Sequence, residues 1–186
     1  LENTYEYNYE GEEKKVVALV DIGANLTCIN ILNEGVTCFS RNITSGSRLI
    51  TEQLQKRFSL NYEEAELLKM GCPETQKTDG PTALSAINEA TFSLINEISK
   101  AIDFFHSSAM AEERVEKIML SGGGAKTHNI TQAIKKSTGI ETELIDPFRN
   151  IIIPEKHFDL EYIQDIAPMA AVATGLALRK DETVRK

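Results

Sequence analysis

Two hydrophobic periods alternate along the chain. Val16 to Val20 is an unbroken, mostly β-branched apolar run, which fits a strand covered on both faces better than a half-solvated one. Thr27, Ile29 and Ile31 then alternate with Cys28 and Asn30, Asn33-Glu34-Gly35 supplies a turn, and Val36 to Ile43 reads as a third strand. Three strands joined by short turns predict an antiparallel meander. Thr44-Ser45-Gly46-Ser47 breaks that pattern and the period lengthens: Ile50, Leu54 and Phe58 recur four apart on one helical face, with Ser47 as N-cap. A second helix starts near Asn61, where Asn61 and Glu64 are spaced as a capping box, and it ends at Met70-Gly71. Cys72 to Pro81 reads as an irregular connection. The longest helix follows from Thr82 to about Ser107. Its stripe of Leu84, Ile87, Thr91, Leu94, Ile98, Ala101 and Phe105 is widened by Phe92, Ile95 and Ile102, so packing on a sheet is expected rather than a coiled coil, with the Phe104-Phe105 pair in the core.

Val115 to Leu120 is a further strand, running into Gly122-Gly123-Gly124. A helix from about Thr127 to Gly139 and a strand from Ile140 to Ile145 complete a strand, helix, strand unit of the α/β type. Asn150 to Pro154 reads as a short strand or a buried loop, and Glu155 to Tyr162 stays ambiguous. Pro168 suits the first turn of a final helix, in which Ala170, Ala171, Ala173, Thr174, Gly175 and Ala177 form a face small enough for close backbone approach. At the start of the chain Tyr5, Tyr7 and Tyr9 alternate, as in an edge strand or an interdomain segment, and Lys180 to Lys186 is a charged tail.

Two stretches carry candidate chemistry. Asp21 emerges at the end of the Val16 to Val20 strand, where a carboxylate needs solvent, a partner or a cation, and so marks a cleft. Gly23 lets a ligand approach the backbone and Thr27 adds a hydroxyl. Taken alone, Asp21 to Asn25 fits a hairpin turn equally well, because turns use these residue types. The second stretch, Leu120-Ser121-Gly122-Gly123-Gly124-Ala125, sets glycines between a strand and a helix. There, free backbone N–H groups and the helix dipole suit a phosphate or nucleotide.

The two stretches, in this order, resemble the phosphate and adenosine motifs of the actin-like ATPase superfamily, which includes actin, the sugar kinases and the bacterial division protein FtsA. Their separation of roughly 100 residues is too short for the first of that superfamily's two phosphate motifs and fits the second. With Ala167-Pro168-Met169-Ala170-Ala171-Val172-Ala173-Thr174-Gly175-Leu176-Ala177-Leu178-Arg179, the wording is similar to the PilM family of type IV pilus assembly proteins. The resemblance implies an α/β fold, the actin-like (ribonuclease H-like) mixed sheet flanked by helices, representing the C-terminal half of a two-lobed molecule. Residues 16–58 and 110–180 would form the core subdomain and 59–109 a smaller inserted helical subdomain. Residues 1–15 would be a flexible or interdomain segment and 181–186 a tail.

The same resemblance implies ATP and Mg2+ as cofactors. Asp21 would sit near the magnesium ion through water, as the catalytic and metal residue. Gly23, Asn25 and Thr27 would meet the β- and γ-phosphates, while Gly122, Gly123, Gly124 and Ala125 would border the α-phosphate and nucleoside. Glu66 and Lys69 would hold the sugar and base; their spacing also fits an ordinary solvated i,i+3 ion pair. The implied function is an ATP-binding cytoplasmic component of the bacterial pilus machinery, peripheral at the inner membrane. Its partners would be a PilN-like membrane protein with a cytoplasmic N-terminal tail, bound mainly by the other half, and other pilus ATPase components. Alternatives are a small-molecule kinase of the same fold or a scaffold with a vestigial site.

Composition narrows the field. A net charge of -8 without a basic stripe argues against nucleic acid. No apolar stretch is long enough to span a bilayer and no signal peptide is visible, so membrane association is expected through a partner. Cys28, Cys38 and Cys72 lack C-x-x-C spacing, Cys28 and Cys38 read as small buried hydrophobes, and His106, His128 and His157 are scattered, so no disulfide framework, zinc site or hydrolytic triad is implied. A chain opening on Leu1 with a polar lead-in is expected to be an excised piece. Such a piece would hold half a nucleotide cleft and turn over ATP negligibly, where the whole protein would be at most a weak ATPase.

Overall fold

A computed structural model describes residues 1–11, 15–71, 80–108 and 114–179. The meander is present: β1 (Val17–Ile22) pairs antiparallel with β2 (Thr27–Asn33), and β2 with β3 (Val36–Ile43). Glu34 and Gly35 turn the second hairpin with positive φ at both positions, the geometry whose twist matches that of the strands. On the other side of β1, β4 (Lys117–Ser121) and then β5 (Glu141–Leu144) add in parallel, giving the order β3-β2-β1-β4-β5.

β1 is therefore central, and its continuous apolar run is explained by cover on both faces. Ala18, Val20 and Ile22 belong to a core shared with α2 (Arg48–Phe58), α3 (Tyr62–Lys69), α4 (Gly80–Ser107) and α5 (Ile130–Thr138). Val17 and Leu19 face the opposite way. They meet Leu32, Met119 and Ile145 together with Tyr5, Tyr9 and Ala171, the last from α6 (Leu160–Ala177).

The helices follow the sequence with informative departures. The Asn61 and Glu64 capping box forms, Gly71 takes φ +87, and Gly139 caps α5 in the left-handed conformation. Ser47 precedes α2 without a side-chain cap bond. In α4 the buried face runs through Ala83, Ala86, Ile87, Ala90, Leu94 and Ile98, whereas Leu84, Phe92 and Phe104 are exposed and only Phe105 of the aromatic pair is core. Alanines let α4 lie close to its neighbours and turn the bulkier side chains outward. The helix expected from about Thr127 begins at Ile130 as α5, and Gly123–Lys126 ahead of it form a 3-10 turn. Cys28 and Cys38 are half-buried free thiols rather than fully buried ones. Of the connection expected over Cys72 to Pro81, residues 72–79 lie outside the described residues and Gly80 and Pro81 open α4 instead; the tail expected from Lys180 to Lys186 also lies outside them.

Three readings are corrected. Glu2–Asn8 are a helix, α1, and not a strand, because Tyr5 and Tyr9 are also four apart and share a helical face. Both are buried, their rings stack at 5.1 Å, Arg149 lies over Tyr9, and the Tyr9 hydroxyl accepts the Asp146 N–H at 2.9 Å. Second, Asn150 to Pro154 is neither a strand nor buried, with Ile152 93% exposed. Third, Pro168 lies inside α6. The helix starts at Leu160, where the Asp159 carboxylate accepts the N–H groups of Glu161 and Tyr162, a stronger start signal than proline.

The small face of α6 is occupied by α1. Thr4 Oγ1 donates to the Ala171 carbonyl at 2.6 Å and Asn3 Nδ2 to that of Gly175 at 3.0 Å. A Cβ on Gly175 would stand 2.5 Å from Thr4 Oγ1. Gly175→Ala gains about 1 kcal/mol of helix propensity but displaces that hydroxyl, and overpacking of this kind costs roughly 1–3 kcal/mol. A net destabilisation of about 1 kcal/mol is expected from denaturant unfolding, relieved when Thr4→Ala is added. Among the described residues no helix is long and apolar enough to cross a membrane.

Candidate functional site

Asp21 and Ser121 are register partners at the ends of the parallel strands β1 and β4, and Ser121 Oγ donates to Asp21 Oδ1 at 2.8 Å. That bond fixes the carboxylate and leaves Oδ2 without a protein partner among the described residues. Gly122 comes next with φ 85 and ψ 165, a conformation reserved for glycine. Its N–H donates to the Pro168 carbonyl at 2.8 Å, tying the middle of α6 to the turn. A Cβ there would stand 2.5 Å from the Ile22 carbonyl oxygen and 2.9 Å from Asp21 Oδ1. Gly124 packs on the Ile22 side chain just as closely. The N–H groups of Gly123 and Gly124 open the 3-10 turn, where the turn itself offers them no acceptor.

Across Asp21 stands the turn between β1 and β2. The Gly23 N–H donates to the Leu26 carbonyl, while the Gly23 and Ala24 carbonyls accept the N–H groups of Ser47 and Arg48, all at 2.9 Å. The start of α2 thus holds the turn from below, and Gly46 has no room for a side chain against the same carbonyls. Ala24 and Asn25 are exposed, and no backbone acceptor takes their N–H groups among the described residues. Thr27 is fully buried and its hydroxyl donates to the Ser45 carbonyl at 2.9 Å, so that oxygen already serves the loop.

Glu66 and Lys69 form an ion pair in which Lys69 is buried and Glu66 half-buried, so the pair is not the fully solvated one. Lys69 Nζ donates to Glu66 Oε1 at 2.7 Å, Oε2 at 2.9 Å and Thr51 Oγ1 at 3.1 Å, which uses all three of its protons. Thr51, on α2, also donates to Glu66 Oε1. Burial on its own would raise the Glu66 pKa. The hydrogen bonds from Lys69 and Thr51 and the Lys69 charge outweigh it and hold the carboxyl below its usual range. The Lys69 carbonyl accepts the His128 N–H at 2.8 Å, and the Thr127 N–H donates to the Gly124 carbonyl at 3.1 Å. Hydrogen bonds therefore lead from the Gly23 turn through α2, Thr51, Glu66 and Lys69 to the glycine turn and back to Asp21.

All the residues singled out in the sequence thus belong to one connected region. Sequence reasoning missed Ser121, Gly46, Ser47, Thr51 and Pro168 as parts of it. Gly46 was legible as a chain break; the others act through partners remote in sequence and leave no local signal.

A mixed five-stranded sheet in this order, clothed by helices on both faces, is an actin-like half-domain. Ethanolamine utilization protein EutJ from Carboxydothermus hydrogenoformans shares the fold at 14% identity and TM-score 0.61, over 94% of this chain and 52% of that one. So does MreB5 of Spiroplasma citri bound to AMPPNP, at 12% identity and TM-score 0.64, over 95% of this chain and 57% of the other. The chain belongs to the type IV pilus assembly protein PilM family, which matches residues 2–181. It is also similar to a chain of a PilM-PilN type IV pilus biogenesis complex, at 27% identity and TM-score 0.78, over 95% of its own length and 50% of the other's. It spans about half the length of these relatives.

Proposed function

We propose that the chain forms one side of an ATP-binding cleft in a cytoplasmic component of the type IV pilus assembly machinery, and that nucleotide state there sets the grip on a membrane-protein partner. The observation that carries this reading is the Asp21 carboxylate, held by Ser121 and flanked by two turns: among the described residues the Ala24 and Asn25 N–H groups of one have no backbone acceptor, and Gly123 and Gly124 open the 3-10 turn of the other. Free N–H groups at such turns favour phosphate oxygens. Among the described residues no three His, Cys, Asp or Glu side chains gather, so Asp21 fits a hydrated magnesium ion brought in with the nucleotide, not a protein cage. Gly23, Asn25 and Thr27 shape the phosphate turn, Gly122 to Ala125 border the nucleoside, and Glu66 stands at its sugar and base with the buried Lys69 behind it. When bound, Mg-ATP supplies a charged phosphate chain that can draw two lobes together. Residues 59–109 act in this reading as the smaller subdomain inserted between 16–58 and 110–180.

The partner fits a PilN-like protein, supported by the complex in which the similar chain is found. It docks mainly on the half outside this chain, with its cytoplasmic N-terminal tail. The experiment is a titration of that tail peptide into the full-length protein with and without Mg-ATP. A change in affinity within the roughly 5–150-fold range of coupled sites is expected, and it should vanish in Asp21→Ala. Equal affinity in both nucleotide states would refute the coupling.

A further inference from the structure

Thr51 belongs to neither glycine turn, yet it touches both ends of the candidate cleft. Fully buried, it stands one helical turn after Ser47, the residue whose N–H holds the Gly23 carbonyl. Its one hydroxyl proton goes to Glu66 Oε1, with the Ser47 carbonyl a more distant alternative at 3.3 Å, and its oxygen accepts from Lys69 Nζ. Lys69 has no proton left to give a ligand and its side chain is 5% exposed, whereas that of Glu66 is 28% exposed. Of the three, Glu66 alone is placed to meet something outside the protein, and a carboxylate meets hydroxyl or amine donors.

We propose that Thr51 is a positioning residue which, with Lys69, fixes the Glu66 carboxylate toward the sugar hydroxyls of a nucleotide and ties that contact, through α2, to the phosphate turn. This rests on the ATP-binding reading above. A hydroxyl at position 51 is what the geometry requires. It alone both accepts from Lys69 and donates to Glu66, and valine of the same shape does neither. Without it the carboxylate loses one of the bonds that set its direction, while the Gly23 turn keeps the N–H groups of Ser47 and Arg48.

The test compares the wild-type full-length protein with Thr51→Val and Thr51→Ser. Calorimetry measures the magnesium-dependent binding of ATP, 2′-deoxy-ATP and inorganic tripolyphosphate. Thr51→Val is expected to weaken ATP by about tenfold, the worth of one hydrogen bond to a charged group. It should narrow the ATP to 2′-deoxy-ATP ratio toward one and leave tripolyphosphate within about twofold of wild type. Thr51→Ser should restore the ratio. A purely structural role would weaken all three ligands together and leave the ratio alone; that result, or a Thr51→Val protein indistinguishable from wild type, overturns the proposal. Should Thr51→Val not fold, Thr51→Ser decides, since loss of the ratio with the hydroxyl present is also contrary. A wild-type protein that binds none of the three ligands overturns the ATP reading itself and this role with it.

Discussion

Gly122→Ala is expected to lower stability by about 3 kcal/mol, which for a chain of this size is roughly 6–12 °C in Tm. Two effects combine. The residue sits at φ 85 and ψ 165, where a side chain is strained whatever the space, and its new Cβ would stand 2.5 Å from the Ile22 carbonyl oxygen. Neither can be relieved cheaply, because Ile22 ends the central strand and the Gly122 N–H is held by Pro168. Gly123→Ala is the matched control: its Cβ would meet nothing nearer than Met169 Sδ at 3.8 Å, and its φ lies outside the left-handed region. A change within about 1 kcal/mol is expected there. Equal melting temperatures for the two variants would show that the turn is not built as described.

Glu66→Ala should be as damaging, at about 3 kcal/mol, because it leaves the Lys69 ammonium buried with only Thr51. Lys69→Met should cost less, since Glu66 is the more exposed partner and can be rehydrated. The pair also has a pH signature. The Glu66 carboxyl is held below its ordinary 4.5, so the unfolded chain binds the proton first as acid is added. The stability this contributes is present above pH 4.5 and is lost as the pH falls through the depressed native value. Thermal melts between pH 7 and pH 3 should show that acid loss in the wild type and a weaker one in Glu66→Gln. An unchanged pH profile in Glu66→Gln would mean that the pair contributes nothing to folding.

What could be read in the sequence was what neighbours in the chain decide. The meander, the Asn61 and Glu64 box and the Gly139 cap depend on residues within a few positions of one another, and each is found in the fold. Asp21 and Gly122 to Gly124 were legible for a related reason: a carboxylate and glycines at strand ends are unusual enough to mark a cleft. What escaped was decided by distant partners. Tyr5, Tyr7 and Tyr9 fit period two as well as a helix, and only the groove beside Ala171 and Asp146 selects the helix. Phe92 and Phe104 are apolar enough for the core, but Ala83, Ala86 and Ala90 win the face because they let α4 approach. Ser121 meets Asp21 across 100 residues and Thr51 meets Glu66 across 15, separations that no local pattern reports.

The most direct measurement is a calorimetric titration of Mg-ATP into the full-length protein, its Asp21→Ala variant and the 186-residue chain alone. Binding by the full-length protein, lost in Asp21→Ala and weak in the isolated half, is the result predicted for a cleft whose two sides come from two halves. No binding by the full-length protein, or binding that survives Asp21→Ala, would contradict it and leave Asp21 and the glycines as turn residues of a docking scaffold.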